Sequence, residues 1–314
     1  MKIYNKVKII KRFRLDKYLI KKFPNYSRAF LKLQIKQGNV LVNGQIKKPS
    51  YILKENDKVE TSIKEPEKSV LRPNPDIKLK IIYEDENIIA INKPAGISVH
   101  PTAGKKQNDT IANAILSYYP AIANVGDPST SSGQADLRPG VVHRLDKETS
   151  GIMVVAKNQK TFDWLKKQFA ERKVEKKYTA LVCGKIKHKK GVISKPIGKT
   201  KDFRKRTTAP VKEQKEAVTH YKTLRHYNNF TLLELQPKTG RTHQIRVHLA
   251  SIGHPVAGDK LYGFKNQKMP PNLKRQFLHA SHLKFSLPSG KINELKSELP
   301  EDLRKTLEML NTIN

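Results

Sequence analysis

The segment best equipped for chemistry runs from Val141 to Gly151 and contains His143, Arg144 and Asp146. Apolar runs flank it, which predicts a polar loop at the end of buried strands, where rigid scaffolds commonly hold reactive groups. Gly151 would permit a tight return of the chain or a close approach of another backbone. The alternative is an ordinary surface turn whose aspartate caps a helix. The residues of this segment alone leave both interpretations open.

A second candidate segment spans 238–248 and carries two arginines and two histidines beside an apolar strand pattern. These are Arg241, His243, Arg246 and His248. Such a group of cations favours a patch that binds phosphate. A solvated basic turn is the alternative, and Arg246 could instead pair with a partly buried carboxylate elsewhere in the chain.

A third segment, residues 176–180, opens a predicted strand with Tyr178. A tyrosine in this position is usually a core or edge residue. Beside an RNA cleft, the same ring could stack on a base.

The charge of the chain indicates a polyanionic partner. Its 314 residues carry 62 Lys and Arg against 28 Asp and Glu, a formal net charge of +34. So large an excess repels itself in a compact protein unless a polyanion meets it, and nucleic acid is the polyanion we expect. A lysine-rich surface without a specific partner is the alternative. An acidic membrane is less favoured, because no amphipathic anchor or lipidation signal is evident.

The single cysteine, Cys183, excludes an intramolecular disulfide and a cluster of thiolate metal ligands. No apolar run approaches the roughly 20 residues that span a bilayer. The first residues lack the apolar region and cleavage site of a signal peptide. The sequence therefore predicts a soluble, cytoplasmic protein.

Residues 1–65 form a basic segment with 17 Lys and Arg against 5 Asp and Glu. Apolar residues at helical spacing predict two short helices, the second of which Ser27 can cap. The pair Asn43-Gly44 predicts a tight turn after a short strand. The pattern indicates a small domain, followed by a proline-rich linker at 66–78.

Residues 79–314 carry a longer pattern of alternating strands and helices. Glycine, proline and serine between 126 and 140 predict an exposed, mobile loop. The predicted helices span 110–119, 161–172 and 293–311.

Together, these segments resemble the large-subunit ribosomal RNA pseudouridine synthases that carry an N-terminal S4-type RNA-binding domain. The resemblance runs in order from residue 12 to residue 290 or so, and several motifs in register make it specific. The matching motifs are Arg14-Leu15-Asp16, Ser27-Arg28, Val42-Asn43-Gly44, Asn92-Lys93-Pro94-Ala95-Gly96, His100-Pro101, His143-Arg144-Leu145-Asp146, Thr149-Ser150-Gly151, Gly240-Arg241-Thr242-His243-Gln244-Ile245-Arg246, His254-Pro255 and Gly258-Asp259.

The resemblance implies an α+β fold. A small S4-like α/β RNA-binding domain would occupy 1–65, and a catalytic domain would occupy 79–314 after the linker. The implied catalytic domain is built on a mixed, mostly antiparallel β-sheet with flanking helices and a cleft along its face.

The resemblance also implies roles for individual residues. Asp146 corresponds to the catalytic carboxylate, and Arg246 to the basic residue that pairs with it. Tyr178 corresponds to a ring that stacks on the target uracil and can assist proton removal. Arg144 corresponds to a residue that enters the duplex where the target nucleotide has left.

Two further groups of residues are predicted to contact RNA. In the cleft these are Arg241, His243 and Ile245. In the S4-like domain they are Arg14, Ser27, Arg28, Lys32 and Lys36, for which plain solvated helix charge is the alternative.

The implied reaction is the isomerisation of uridine to pseudouridine in structured RNA, which needs no cofactor and no metal ion. The N1–C1′ bond breaks, the uracil turns over, and C5 bonds to C1′. A stacked uridine must first be flipped out of the helix. Asp146 has to be ionised, and because burial opposes ionisation while a close arginine favours it, we expect Arg246 to stabilise the charge.

Two other functions remain open on the sequence. A non-catalytic RNA-binding or ribosome-assembly protein would share the charge and the S4-like motifs. An RNA glycosidase would use the same carboxylate to release uracil. Asp146, Tyr178 and Arg246 together favour the synthase. The expected partner is large-subunit ribosomal RNA or its assembly intermediates, with transfer RNA as the alternative, and the expected form is a monomer.

Overall fold

Two compact units make up the chain, one of residues 1–70 with 127–135 and the other of residues 71–126 with 136–314. The computed structural model describes residues 3–6, 13–24, 26, 28–63, 71–101, 108–127, 138–202, 204–267 and 269–312. Three predictions concern positions outside these residues: the cap at Ser27, positions 64–70 around the linker, and positions 128–137 of the predicted loop.

The first unit joins two helices to a small antiparallel sheet of strand order β1-β3-β2. Apolar side chains from both helices and from β2 and β3 form one buried cluster. The turn at Asn43-Gly44 is confirmed, with φ angles of 53° and 74°. The elements are β1 Ile3–Lys6, α1 Leu15–Lys22, α2 Arg28–Lys36, β2 Val40–Val42 and β3 Lys58–Thr61.

Asp16 organises the basic residues of this unit. Its carboxylate, which is fully buried, accepts hydrogen bonds from Arg14 at 3.0 and 3.2 Å and from Arg28 at 2.9 Å. Lys32 Nζ lies 3.7 Å from the same carboxylate. Burial would raise the pKa of Asp16, but the hydrogen bonds and charges of Arg14 and Arg28 lower it to about 2. Three of the residues predicted to bind RNA therefore share one buried anion, whereas Lys36 ends α2 on the exposed surface.

The second unit is built on a sheet in which nine strands of the described residues take part. The strand order is β4-β5-β6-β14-β7-β13-β12-β8, with β15 paired to β14. All neighbours are antiparallel except β6 and β14, so the mixed, mostly antiparallel sheet is confirmed. The strands are β4 Ile81–Glu84, β5 Ile88–Lys93, β6 Ser150–Ala156, β7 Glu175–Cys183, β8 Lys190–Ser194, β12 Val218–His226, β13 Phe230–Pro237, β14 Leu278–Ser286 and β15 Ile292–Lys296.

A small sheet of three strands and four helices complete the described part of this unit. A 3₁₀ helix at Pro120–Asn124 follows the first of these helices. The small sheet contains β9 Ile197–Lys199, β10 Arg206–Thr207 and β11 Gln214–Lys215, and the helices are α3 Ile111–Tyr118, α4 Gln159–Ala170, α5 Gln244–Ser251 and α6 Glu301–Thr312.

The parallel contact between β6 and β14 depends on Gly151. This residue has φ 119° and pairs with Ala280, and a Cβ atom at its position would lie 2.2 Å from the Ala280 carbonyl oxygen. Only glycine fits so close an approach. The expected role of Gly151 is thereby confirmed, and it fixes where the polar loop enters the sheet.

The predicted helix at 293–311 is wrong over its first part. Residues Ile292–Lys296 form β15, which pairs with β14, and the helix begins only at Glu301, after Pro300. The side chain of Asn293 is buried, because in the strand it lies opposite Phe285. The local pattern of this segment favours a helix, but its pairing with β14 stabilises a strand instead.

Among the described residues, no helix has the length and apolarity required to cross a membrane.

Replacing Asp16 with Asn should destabilise the first unit. The substitution removes the charge that three cations share, and the free energy of local unfolding should fall by about 1.5–3 kcal/mol. Amide hydrogen exchange of α1 and α2 in the intact chain measures the change. Glu55→Gln, at an exposed position, is the control and should leave exchange unchanged.

The pH dependence of the same amides gives a second measurement. Because the pKa of Asp16 in the folded state, about 2, is below its ordinary value of 3.8, the stabilisation is complete above pH 4 or so. It should disappear as the pH falls from about 3.8 towards 2. Equal acid sensitivity in Asp16→Asn and the parent would contradict this assignment.

Candidate active site

A cavity of about 390 Å³ opens in the second unit. The polar loop, strand β7, the turn after β13 and the start of α5 surround it. The structure brings together every cleft residue predicted from the sequence: Arg144, Asp146, Tyr178, Arg241, His243, Ile245 and Arg246.

Backbone hydrogen bonds fix the loop that carries Asp146. The Thr149 N–H donates to the Asp146 carbonyl at 3.1 Å and closes a tight turn. The Gly96 N–H donates to the Lys147 carbonyl at 2.9 Å, which ties the loop to the segment that follows β5. The carboxylate of Asp146 is thus presented from a rigid turn.

Lys93, at the end of β5, lies beneath this turn and is fully buried. Its ammonium donates to three carbonyl oxygens, those of Pro94 at 2.7 Å, Ile97 at 2.8 Å and Lys147 at 3.1 Å. Burial lowers the pKa of Lys93 to about 7, while the negative charges of Glu148 and Asp146 oppose the shift. The three donors of a lysine match these three acceptors, and two of them, the Pro94 and Ile97 carbonyls, accept no hydrogen bond from another described residue.

Arg275 supports the loop from its other end. Its guanidinium donates to the Glu148 carbonyl at 3.2 Å and to Ser150 Oγ at 3.2 Å. The same guanidinium pairs with Asp302 of helix α6 at 2.7 and 3.1 Å. The terminal helix and the loop of Asp146 are therefore connected through one side chain.

Arg246 lies between two carboxylates. Its Nη1 donates to Asp146 Oδ2 at 3.0 Å, and its Nε and Nη2 donate to both oxygens of Asp259 at 2.7 and 2.8 Å. The Asp259 carboxylate also accepts the N–H groups of Leu261 and Tyr262 at 2.9 and 3.1 Å. Burial lowers the pKa of Arg246, but the hydrogen bonds and charges of Asp259 and Asp146 raise it to a larger extent, so the guanidinium stays charged.

Gln244 determines how helix α5 begins. Its side-chain oxygen accepts from Thr239 Oγ1 at 2.7 Å and from the Arg241 N–H at 3.0 Å. Its side-chain nitrogen donates to the Val218 carbonyl and to Thr219 Oγ1, both at 3.0 Å. The turn before the helix is held in this way, with Arg241 and His243 at the cavity wall.

His243 precedes α5 with φ 58° and is held by Tyr262. Its Nδ1 lies 2.9 Å from the Tyr262 hydroxyl, which also accepts the Arg206 N–H at 2.9 Å. When the Tyr262 hydroxyl donates to Nδ1, the hydrogen of the neutral imidazole lies on Nε2. His243 Nε2 lies 3.9 Å from Asp146 Oδ1.

The protonation of His243 follows from its surroundings. Burial lowers its pKa, the charge of Asp146 opposes the shift, and the charges of Arg246 and Arg206 add to it. The net shift is downward, so the neutral imidazole is the form that faces Asp146 at neutral pH.

Strand β7 forms the opposite wall, and Lys176 and Tyr178 point from the same face of this strand into the cavity. Burial, together with the charge of Asp146, raises the pKa of Tyr178 well above its ordinary value. The phenol is therefore neutral at physiological pH. Its ring packs partly against an apolar cluster that includes Ile245.

Sequence reasoning missed several residues that position the site, among them Lys93, Asp259 and Tyr262. The first two belong to motifs quoted above, and the possibility that Arg246 pairs with a second carboxylate had been left open. Helix α5 was also missed, because its residues from Gln244 to Leu249 are all buried and give no clear alternation of apolar and polar faces.

Replacing Lys93 with Met should leave the carbonyl oxygens of Pro94 and Ile97 without a donor, while that of Lys147 keeps only the Gly96 N–H. We expect the free energy of unfolding to fall by about 3 kcal/mol, because each unsatisfied acceptor is costly. Urea denaturation followed by the fluorescence of Trp164, the only tryptophan, reports on this unit. Lys80→Met, at an exposed lysine, is the matched control and should unfold like the parent.

The pH dependence distinguishes the two variants further. The pKa of Lys93 is lower in the folded chain, about 7, than its ordinary value of 10.5. The unfolded chain therefore binds more protons between these values, and the parent should gain stability as the pH rises through this range. Lys93→Met should lack that gain and Lys80→Met should keep it; the reverse result would refute the assignment.

Comparison with known proteins adds family matches to this geometry. Residues 87–251 match the family model described as RNA pseudouridylate synthase, and residues 13–59 match the model of the S4 domain. An uncharacterized RNA pseudouridine synthase of Aquifex aeolicus (strain VF5) is 42% identical over 306 residues, which cover 95% of this chain and 93% of the relative. Ribosomal large subunit pseudouridine synthase D of Pasteurella multocida (strain Pm70) is 38% identical over 95% of this chain and 91% of its own.

A solved structure has a similar fold. Human RNA pseudouridylate synthase domain containing 4 is 28% identical, with a TM-score of 0.57 over 74% of this chain and 93% of the human chain. The family model covers more than half of the chain, and the relatives match along nearly all of it. The protein therefore belongs to the RNA pseudouridylate synthase family and carries an S4 domain.

Proposed function

We propose that this RNA pseudouridine synthase acts on large-subunit ribosomal RNA or its assembly intermediates, with Asp146 as the catalytic carboxylate. The Pasteurella relative is named for the large ribosomal subunit, which supports this substrate. One observation carries the assignment of Asp146. Its Oδ2 accepts the hydrogen bond of Arg246, whereas its Oδ1 has no hydrogen bond from a described residue and borders the cavity.

The reaction conserves the composition of the nucleotide, because it is an isomerisation. The N1–C1′ bond breaks with its electron pair on the uracil, the ring turns over, and C5 bonds to C1′. The C5 proton then passes to solvent and N1 takes up a proton. The carboxylate can attack C1′, stabilise positive charge there while C2′ loses a proton, or attack the base at C6. Each of these needs an ionised carboxylate with one oxygen free, which is the form that the pairing with Arg246 stabilises.

Arg246 contributes by holding charge and orientation. Because Nε and Nη2 both bind Asp259, the plane of the guanidinium is fixed and Nη1 faces Asp146. A fixed charge of this kind needs no reorganisation when positive charge develops on the sugar.

Tyr178 and Arg144 handle the flipped nucleotide. The neutral phenol ring of Tyr178 offers a stacking surface for the uracil. Arg144 is exposed at the rim of the cavity and is suited to enter the duplex that the uridine leaves. The stacking of the uracil on Tyr178 and the insertion of Arg144 into the duplex offset part of the few kcal/mol of free energy that flipping the nucleotide costs.

Three further residues complete the cleft. Arg241 donates its Nε to the Glu216 carbonyl at 3.0 Å, which leaves its terminal nitrogens for a phosphate oxygen. Ile245 is buried and forms part of the apolar floor. In the tautomer with hydrogen on Nε2, His243 offers an N–H donor beside Asp146, where the nucleotide would bind.

The S4 unit supplies phosphate contacts that do not depend on base identity. Arg14, Arg28 and Lys32 keep exposed side chains of 43, 51 and 41% beside Asp16, so their outer nitrogens can reach RNA. Lys36 and Ser27 are proposed as further contacts. We further propose that the enzyme works as a monomer in the cytoplasm, where ribosomal RNA is assembled.

Asp146→Asn should abolish isomerisation and preserve RNA binding, because the amide keeps the shape but not the charge. On a large-subunit RNA transcript labelled with tritium at uracil C5, tritium release should fall by on the order of 10³-fold or more. The dissociation constant should stay within about threefold, since Asp146 makes no attractive contact with phosphate.

Asp163→Asn, which changes an exposed carboxylate on α4, is the control and should keep full activity. Free uracil in the medium would identify a glycosidase instead. The natural positions are identified by mapping pseudouridine in a strain that lacks the gene. They are the positions at which pseudouridine returns when the parent gene is restored but not when the Asp146→Asn gene is restored. If the protein binds the RNA but deletion of its gene leaves the pseudouridine map unchanged, the protein is a non-catalytic RNA-binding protein.

Tyr262→Phe should lower kcat about 5-fold to 10-fold and leave KM within about twofold. The substitution keeps the ring, which lies 5.0 Å from the guanidinium of Arg246, and removes only the hydroxyl that orients His243. Tyr118→Phe, which removes a surface hydroxyl bonded to Glu84, is the control. A parental kcat in Tyr262→Phe would exclude a positioning role for this hydroxyl.

A further inference from the structure

Lys176 is a cation of the cavity for which the described residues provide no counterion. It lies on strand β7, is partly buried, and lines the cavity. Its Nζ makes no hydrogen bond or ion pair with another described residue; the aromatic ring of Phe169 lies 6.0 Å from it. Burying an ammonium without a partner is costly, and here burial lowers the pKa of Lys176.

The neighbouring lysine behaves as an ordinary surface residue. Lys177 points to the other face of β7, with its Nζ 3.8 Å from Glu175 and 3.9 Å from Glu234. The two lysines are adjacent in sequence and on the same strand, yet only Lys177 has carboxylates within reach. The lack of a counterion is therefore a property of the cavity rather than of this part of the chain.

His143 neither neutralises Lys176 nor competes with it. The imidazole Nε2 accepts the Val154 N–H at 2.9 Å, and the ring stacks on Phe169 at 4.7 Å. Burial, together with the charge of Lys176, lowers the pKa of His143 to about 3. The ammonium of Lys176 therefore has an apolar, uncharged surface on one side and the cavity on the other.

The cavity wall has an excess of positive charge, which favours the binding of an anion. Asp146 is the one carboxylate among the described residues that line it, and Arg246 already pairs with this group. The uracil of a bound uridine is neutral, so the anion that a flipped nucleotide brings is its phosphodiester. The cationic side chains of the wall that make no hydrogen bond or ion pair with a described residue are those of Arg144, Arg172, Lys176 and Lys238.

The spacing along β7 fits such a ligand. Lys176 and Tyr178 are two residues apart on one face, which separates their Cα atoms by about 6.6 Å along the strand. If the uracil stacks on Tyr178, a phosphate attached to the same nucleoside lies at about this distance. We propose that Lys176 binds the phosphodiester of the everted nucleotide inside the cavity and contributes to binding rather than to bond making. The inference rests on the proposed function of the cavity.

The test compares Lys176→Met with Lys177→Met, because Met preserves the length and apolar stem of the side chain. Kinetics are measured on the large-subunit RNA transcript over a series of KCl concentrations. For Lys176→Met, we expect KM to rise about 10-fold with kcat within about twofold. The slope of log KM against the logarithm of the KCl concentration should become shallower by about 0.7–0.9, which is the contribution of one phosphate contact. Lys177→Met should match the parent, and Lys176→Arg should restore the salt slope.

A chemically modified substrate identifies the phosphate. A methylphosphonate placed on either side of the mapped uridine removes one charge from the RNA. At one of the two positions, the parent should lose about 10-fold in binding and Lys176→Met should lose almost nothing further, because the interaction is already absent.

Each outcome separates this inference from the proposed function. If the parent releases no tritium, the function fails. If the parent is active but Lys176→Met has an unchanged salt slope, or is equally sensitive to the methylphosphonate, only the role of Lys176 is overturned. A fall in kcat with unchanged KM would also overturn it, in favour of a role in catalysis or in the shape of the site.

Discussion

The site depends on the placement of one arginine between two aspartates. Arg246 is held on one side by both oxygens of Asp259, and that carboxylate is itself fixed by two backbone N–H groups. Nη1 of the same guanidinium donates to Asp146 at 3.0 Å. This ion pair fixes the position of the Asp146 carboxylate, which is partly exposed at the wall of the cavity. The surrounding elements, β6, β7 and α5, bring these groups to one place from positions 100 residues apart in the chain.

Much of this arrangement could be predicted from the sequence, because the chemistry is concentrated in short segments. The turn of Asp146 and the segment that contains Arg246 are each contiguous, and their residue types indicate their task. The S4 unit was equally predictable, since its Asn43-Gly44 turn and its helical spacing are local signals. The tight approach at Gly151 could be inferred because no other residue tolerates such a contact.

The parts that escaped prediction are set by contacts between distant segments. A lysine such as Lys93 is normally exposed, and only the three carbonyl groups around it explain its burial. The strand Ile292–Lys296 follows from its pairing with β14, which no local pattern contains. Helix α5 is buried along most of its length, so the contrast between a polar and an apolar face is missing. In the sequence, the basic residues around Asp16 look like unpaired surface charges. Only the folded structure shows that they share the carboxylate of Asp16.

The bridge through Arg275 has a consequence for biosynthesis. This arginine holds the Glu148 carbonyl from a position 127 residues later in the chain, and its own anchor, Asp302, comes later still. A ribosome must therefore translate almost the whole second unit before the loop around Asp146 acquires its final support. During translation, the nascent polypeptide can display its S4 module and hold RNA while the reactive centre is still incomplete.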